Sequence, residues 1–396
     1  MSAYTDILAK KSSEWKCPAM MEQAKVDVRE KLPFSSPLMN WATYGGIPRN
    51  RFTEFFGKPG SGKSTSAADI CKNAIKIFDA EYDEKVVELR ASSSKSAVSE
   101  LADLEECGPK KVLYVDLEHG FDRKWAETIG MDMTRIDIMQ PPDVPAEDLL
   151  QAIEDLIKTG EVGLIVLDSI PSLIPRDEIE KKLTDKTKVA GTATIMTRVM
   201  RTWVPLLTRY KCSVILINQL RDNMNNPFDP NTPGGQAVKF YSSLRIMFEI
   251  SCPLDFLGNE LPQNAENPSG YKVSARIKKQ KTAPNDRRNA TYYLMCSTGI
   301  RPDFDYALLA LNKYGIIKKS AAWFSFLDPF TGEILEEDDP AHAGKKKPIK
   351  VNGMAKVYEF LETNSEYYEK LQKFILDDIN GTPEDADQAS EDDEVL

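Results

Sequence analysis

The octet Gly57-Lys58-Pro59-Gly60-Ser61-Gly62-Lys63-Ser64 constrains this chain more than any other stretch. It fits the G-x-x-x-x-G-K-[ST] pattern of a phosphate-binding loop, and its flanks supply the required context. An apolar run, Phe52-Thr53-Glu54-Phe55-Phe56, enters it as a strand would, and Thr65-Ser66-Ala67-Ala68-Asp69-Ile70 leaves it as a helix would. The glycines let the backbone curl so that successive N–H groups face one anion, and the helix N-terminus adds its positive dipole end. Lys63 is expected to reach the β- and γ-phosphates and the Ser64 hydroxyl to sit on Mg²⁺, with Thr65 closing the cradle. The loop predicts a nucleoside triphosphate and leaves open what the nucleotide is for.

The 396 residues are 41% hydrophobic, enough for one large core and a smaller unit. With no apolar run of about twenty residues and no signal-peptide pattern after Met1, the chain is expected to be soluble and cytoplasmic, with no membrane partner. Six cysteines without a C-x-x-C pair suggest reduced thiols, and two histidines leave little material for imidazole chemistry. The net charge of −10 is concentrated at the end: from Asp377 onward there are nine acidic residues and no Lys or Arg, leaving the rest near neutral. That tail reads equally as a solubilising disordered end or as an anionic mimic that competes with DNA for basic loops.

Along the chain, residues 1–35 read as a polar N-terminal arm with a helix outside the core. Ser66 to about Asp79 has an amphipathic helical pattern, and the charged, serine-rich stretch from Glu81 to Lys110 reads as a surface insertion. Three apolar runs follow that end on polar residues: Lys111 to Glu118, Gly163 to Ser169 and Cys212 to Gln219, with a helix over Ala146–Lys158 between the first two. Strands alternating with helices predict a mostly parallel, doubly wound α/β sheet, in which ligands collect at the strands' carboxyl ends. Glu118, Asp168 and Gln219 are therefore expected to converge on the nucleotide. Asp168 would complete the Mg²⁺ shell with Ser64, Glu118 would polarise the attacking water, and Gln219 would touch the γ-phosphate.

Five further segments add a resemblance. Asp116-Leu117-Glu118-His119-Gly120-Phe121-Asp122, the run LIVLDSIPSL from Leu164 to Leu173, Ile217-Asn218-Gln219-Leu220-Arg221, Gly234-Gly235-Gln236-Ala237-Val238-Lys239-Phe240-Tyr241 and Ala321-Ala322-Trp323-Phe324-Ser325-Phe326 stand in the order and spacing of the RecA recombinase family. The chain resembles that family over about residues 36–380. The resemblance implies a RecA-like ATPase core over 36–300, a small C-terminal α/β domain over 301–380 that includes a helix from about Met354 to Ile379, and an acidic tail over 381–396.

It also implies an ATP- and Mg²⁺-dependent helical filament on single-stranded DNA that exchanges strands with homologous duplex, served by single-strand-binding and mediator proteins. Glu118 matches the family's catalytic glutamate, Asp168 the metal-side acid and Gln219 the γ-phosphate sensor. Asp122 and Trp125 match positions that hold adenine. Lys279 and Lys281 match a lysine pair that reaches the neighbouring subunit's ATP. Pro175 to Gly191, with Lys181, Lys182, Lys186 and Lys188, matches the first DNA loop, followed by Arg198 and Arg201 as phosphate contacts. Arg221 to Gly235 matches the second loop, placing Arg221, Gly234, Gly235 and Gln236 on DNA. Two other uses of such a core are a hexameric helicase and a mediator that binds single-stranded DNA without exchanging strands.

Overall fold

The computed structural model describes residues 31–92, 94–180, 191–220, 232–338 and 344–380, with the single positions Lys10 and His342. Of the expected arm over 1–35, residues 1–9 and 11–30 lie outside the described residues, as do 181–190 of the first expected DNA loop, 221–231 of the second and the acidic tail from 381.

After a two-residue strand at Lys31–Leu32, which pairs with Ile47–Pro48, comes a short helix α1 (Pro37–Thr43), with Ser36 as N-cap and Pro37 in the first turn, where its missing N–H costs nothing. Strand β1 (Phe52–Gly57) is buried along its whole length and feeds the phosphate loop into α2 (Lys63–Ala91). After α3 (Lys95–Cys107) come β2 (Lys111–Asp116), α4 (Arg123–Thr128), β3 (Ile136–Met139), α5 (Ala146–Thr159) and β4 (Val162–Asp168). The parallel half closes with α6 (Gly191–Tyr210), β5 (Ser213–Gln219), α7 (Gly235–Tyr241) and β6 (Leu244–Leu254). Strands β7 (Gly270–Gln280), β8 (Asn289–Met295) and β9 (Gly299–Ile300) complete the sheet.

The nine strands run in the order β9-β8-β7-β6-β1-β5-β4-β2-β3. From β6 to β3 every neighbouring pair is parallel, and β7, β8 and β9 add an antiparallel wing. Central strands such as β1 and β4 bury both faces, which is why they read as near-continuous apolar runs rather than alternating ones. Helix α5 shows the complementary pattern. Leu149, Leu150, Ile153 and Ile157 fall on one face and are buried, each contributing about 1.5–3 kcal/mol of burial, and Gly160 ends the helix in a left-handed conformation.

Beyond the sheet, α8 (Pro302–Asn312), the small sheet of β10 (Ile317–Ser320), β11 (Trp323–Phe326) and β12 (Lys350–Asn352), and helices α9 (Met354–Thr363) and α10 (Ser365–Asn380) share an apolar cluster. That cluster includes Cys252 and Leu254 of β6 and Tyr293 and Met295 of β8, so the C-terminal segment is cemented to the antiparallel wing. Among the described residues no helix is long and apolar enough to cross a membrane.

One expectation is sharpened and one corrected. The stretch from Glu81 to Lys110, read as a surface insertion, is helical: α2 continues unbroken to Ala91, and α3 returns against it after a turn capped by Ser94, whose side chain accepts from Ala97 N. The ion pairs Lys85–Glu100 and Arg90–Glu105 join the two helices, so the charges that suggested a surface insertion are the polar faces of a helical hairpin. The single helix expected from Met354 to Ile379 is two helices broken at Asn364, whose non-helical backbone ends α9 and whose side-chain amide donates to the Phe360 carbonyl.

One buried acid carries a pH signature. Asp305 of α8 is fully buried. Its Oδ2 accepts from the Ser36 hydroxyl, and its Oδ1 has no hydrogen-bond partner. Burial pushes its carboxyl well above the usual range, with Asp303 adding to the shift against the Ser36 hydrogen bond. The folded state then holds a proton that the unfolded chain releases near its ordinary value of about 4, so stability falls as pH rises from there toward the raised folded value. Asp305→Asn is expected to remove this component: thermal unfolding between pH 4 and 8 should show a smaller loss of Tm for the variant than for the natural protein.

Candidate functional site

The phosphate loop is shaped by three glycines. A Cβ on Gly57, at the end of β1, would lie 2.3 Å from the Phe248 carbonyl oxygen, so the close approach of β6 admits no side chain. Gly60 and Gly62 hold φ of 71° and 89°, the left-handed region, and Gly62 is the N-cap of α2. Lys58, Pro59 and Gly60 form the exposed rim, whereas Ser61 and Lys63 are buried. Lys63 Nζ donates to the Lys58 carbonyl at 2.7 Å. Burial pulls its ammonium below the ordinary lysine range, and Asp168 and Glu118 oppose that shift. A desolvated cation beside a helix N-terminus suits the terminal phosphates of a nucleotide, whose charge would replace that missing solvation.

Asp168 ends β4 and is buried. The Tyr114 hydroxyl donates to its Oδ2 at 2.7 Å, and the Ser64 hydroxyl bonds to the same carboxyl group. Burial raises the acid above its usual range, those two hydrogen bonds oppose the shift, and Glu118 and Asp116 reinforce it. Ser64 and Asp168 thus form an adjacent pair of hard oxygen donors. Among the described residues no cluster of three or more His, Cys, Asp or Glu side chains forms a protein cage for a metal. That donor set fits Mg²⁺, which keeps its waters and takes phosphate oxygens along with one or two protein oxygens.

Glu118 stands exposed just beyond β2. Its Oε1 accepts from the Ser169 hydroxyl and, at 3.0 Å, from Gln219 Nε2 at the end of β5. The turn that carries it is fixed by Asp116, which accepts from the backbone N–H groups of Glu118, Gly120 and Phe121 at 3.2, 3.3 and 2.8 Å and from Gln140 Nε2 at 2.8 Å. Glu118, Asp168 and Gln219 therefore meet beside Lys63 and Ser64. Sequence reasoning missed Tyr114, Asp116 and Ser169. The available signal was periodicity: Tyr114 and Asp116 are two apart on one strand and share a face, and Ser169 directly follows the strand-end acid.

Asp122 is the N-cap of α4, accepting from Trp125 N at 3.0 Å. Asp122 and Trp125 line a crevice with Ser64, Thr65, Glu118 and Asp168, and Trp125 also faces Tyr271, Leu294, Met295 and Cys296 across the loop. Lys279 and Lys281 stand elsewhere. The Lys279 ammonium donates to the Lys239 and Phe240 carbonyls, and Lys281 Nζ donates to Phe240 O at 2.9 Å, so the pair caps the carboxyl end of α7. Burial, with Lys281 and Arg245 beside it, brings Lys279 down to about 8. Arg198 and Arg201 are exposed one turn apart on α6. Gly234 and Gly235, with φ of 88° and 77°, open α7 against the first turn of α6: a Cβ on Gly235 would lie 3.0 Å from Ala193 Cβ. Gln236 beside them is exposed. Arg221 and the lysines of the first expected DNA loop lie outside the described residues.

A parallel sheet with a phosphate loop after its central strand, and polar residues at the ends of the neighbouring strands, defines the class of phosphate-loop α/β proteins. Within that class the comparisons are specific. The family model described as the RecA N-terminal domain matches residues 84–301, more than half of the chain, beginning after the phosphate loop. Protein RecA of Aquifex aeolicus (strain VF5) is 31% identical over 316 residues, covering 79% of this chain and 79% of that protein. Protein RecA of Thermus aquaticus is 29% identical over 337 residues (84% and 80%), and that of Clostridium novyi (strain NT) 30% over 291 residues (73% and 71%). The chain belongs to the RecA family.

Lys63 is the buried cation of the phosphate loop. Lys63→Ala is expected to weaken ATP binding by about 10- to 100-fold, the equivalent of one or two charge-assisted hydrogen bonds. Titration with a fluorescent ATP analogue measures this, and unchanged affinity would remove Lys63 from the site.

Proposed function

We propose that the protein is an ATP-driven DNA recombinase: it assembles as a helical filament on single-stranded DNA, hydrolyses ATP there and exchanges strands with a homologous duplex. The observation that carries this reading is the meeting of Glu118 with Gln219 beside Lys63 and the Ser64–Asp168 pair. Membership of the RecA family supports it, and the resemblance of the motifs around Glu118, Asp168 and Gln219 is what suggests their roles.

In this reading the loop's N–H groups and Lys63 hold the β- and γ-phosphates, and Trp125 with Asp122 borders the base. Ser64 and Asp168 would hold Mg²⁺, which supplies charge neutralisation along the phosphate chain when bound. Glu118 takes the proton of the attacking water, its carboxylate aimed by Ser169 and Gln219. Gln219 touches both partners in turn. Its amide now lies on Glu118, and a shift of that amide toward the γ-phosphate frees a lone pair on the base. The occupancy of the nucleotide site is thereby tied to the strand end that leads into the second DNA loop.

On the DNA side, Arg198, Arg201, Arg221 and the N–H groups of Gly234, Gly235 and Gln236 are the proposed phosphate contacts. Lys279 and Lys281 complete the neighbouring protomer's site, exchanging the α7 carbonyls for phosphate oxygens, so that hydrolysis requires assembly.

Two outcomes follow. ATP-dependent strand exchange between a circular single strand and a homologous linear duplex, with helical filaments in electron micrographs, is the expected result; rings that unwind duplex without exchange would instead show a helicase. Lys279→Ala and Lys281→Ala are each expected to lower DNA-stimulated kcat by at least about a hundredfold while ATP binding to the free protein persists. Retained stimulation in both would refute the shared site.

A further inference from the structure

Glu54 lies in the middle of β1 with no solvent exposure, a carboxylate at the centre of the sheet that the proposed hydrolysis does not use. Its Oε1 accepts from Asn218 Nδ2 at 2.9 Å, and its Oε2 takes the Arg245 guanidinium, which also lies over the Phe56 ring at 4.8 Å. Asn218, itself fully buried, divides its amide three ways. Nδ2 donates to Glu54 and, at 2.9 Å, to the carbonyl of Pro233, while Oδ1 accepts from the backbone N–H of Gln219 at 3.0 Å. On the other side, Arg245 stands opposite Lys279 in the β6–β7 register, and Lys279 holds the last carbonyls of α7. One buried carboxylate thus ties together the strand end carrying Gln219, the residue that leads into α7, and the strand carrying the lysines at the far end of α7.

A buried ion pair is poor evidence for stability, since well-packed apolar residues serve as well or better; its attested use is to fix one arrangement against others. Here the arrangement fixed is the relation between two groups of the proposed ATP cycle that lie on different strands. Resting on the recombinase reading above, we propose that Glu54 is a positioning residue: through Asn218 and Arg245 it couples the Gln219 strand end to both ends of α7, so that DNA-induced activation reaches the ATP site through this chain. Glu54 touches no nucleotide. It acts by holding Asn218 and Arg245 in register.

The test is steady-state ATPase of the full chain with and without poly(dT), together with nucleotide affinity and Tm. Glu54→Gln keeps the side-chain shape and an acceptor for Asn218 but removes the charge that Arg245 requires. Basal hydrolysis and ATP affinity are expected to stay within about twofold, whereas DNA-stimulated kcat falls about tenfold at little-changed KM, the size of a typical coupling between sites. Asn218→Ser, which leaves the Glu54–Arg245 pair intact, is expected to show the same split and stands in should Glu54→Gln fail to fold. Arg245→Lys, which restores a cation to Glu54, is expected to keep most of the stimulation. Full stimulation in Glu54→Gln or Asn218→Ser overturns the inference, as does a parallel loss of affinity, basal rate and Tm, the mark of a merely structural role. A natural protein that poly(dT) does not stimulate would reject the recombinase reading itself; stimulated natural protein with equally stimulated variants rejects only the coupling.

Discussion

The parallel register of the central strands is the constraint on which the rest depends. Gly57 of β1 stands level with Gln219 of β5, and Asp116 of β2 stands level with Asp168 of β4. Because side chains alternate across a strand, a slip of one residue in either pairing would send these groups to opposite faces of the sheet. The apolar runs on both faces of β1 and β4 prevent that slip, so the same burial that holds the core together also sets the spacing of Lys63, Asp168, Glu118 and Gln219. Packing and chemistry are not separate layers in this protein.

What was legible in the sequence follows from that constraint. The phosphate loop, the three strands with polar ends and the amphipathic helix over Ala146–Lys158 were all readable, because each depends on local spacing and on burial of both sheet faces. The hairpin of α2 and α3 was not. Its residues are charged and serine-rich because α3 and the second half of α2 are mostly exposed, and such a composition shows a surface segment without showing its helices when the apolar seam is thin. The break at Asn364 was hidden for a related reason: apolar spacing continues through it, and only the cap geometry marks the end of α9. In the site, the chemistry-bearing residues were legible and their partners were not. Nothing local to Tyr114 or Ser169 indicates that they meet Asp168 and Glu118, since those contacts join different strands.

Lys279 at the end of β7 and Lys281 just beyond it carry the same lesson. A basic run on a strand resembles a solvated edge, yet Lys279 and Lys281 are committed to the carbonyls of α7. A carbonyl end and a phosphate chain offer a lysine the same reward, oxygen acceptors with negative charge, and in the proposed shared site the pair would pass from one to the other when a neighbouring protomer arrives. The proposed shared site and the α7 cap are then two positions of one element. The buried Glu54 chain gives that element a fixed relation to the Gln219 strand end.

The central claim is that each ATP site takes its base from one protomer and its lysines from the next, and mixing two inactive variants tests it most directly. In a filament formed from equal amounts of Glu118→Gln and Lys279→Ala protomers, about a quarter of the head-to-tail interfaces pair an intact Glu118 with an intact Lys279. The account predicts that DNA-stimulated ATPase recovers to about that fraction of the natural rate. A mixture no more active than either variant alone would contradict it.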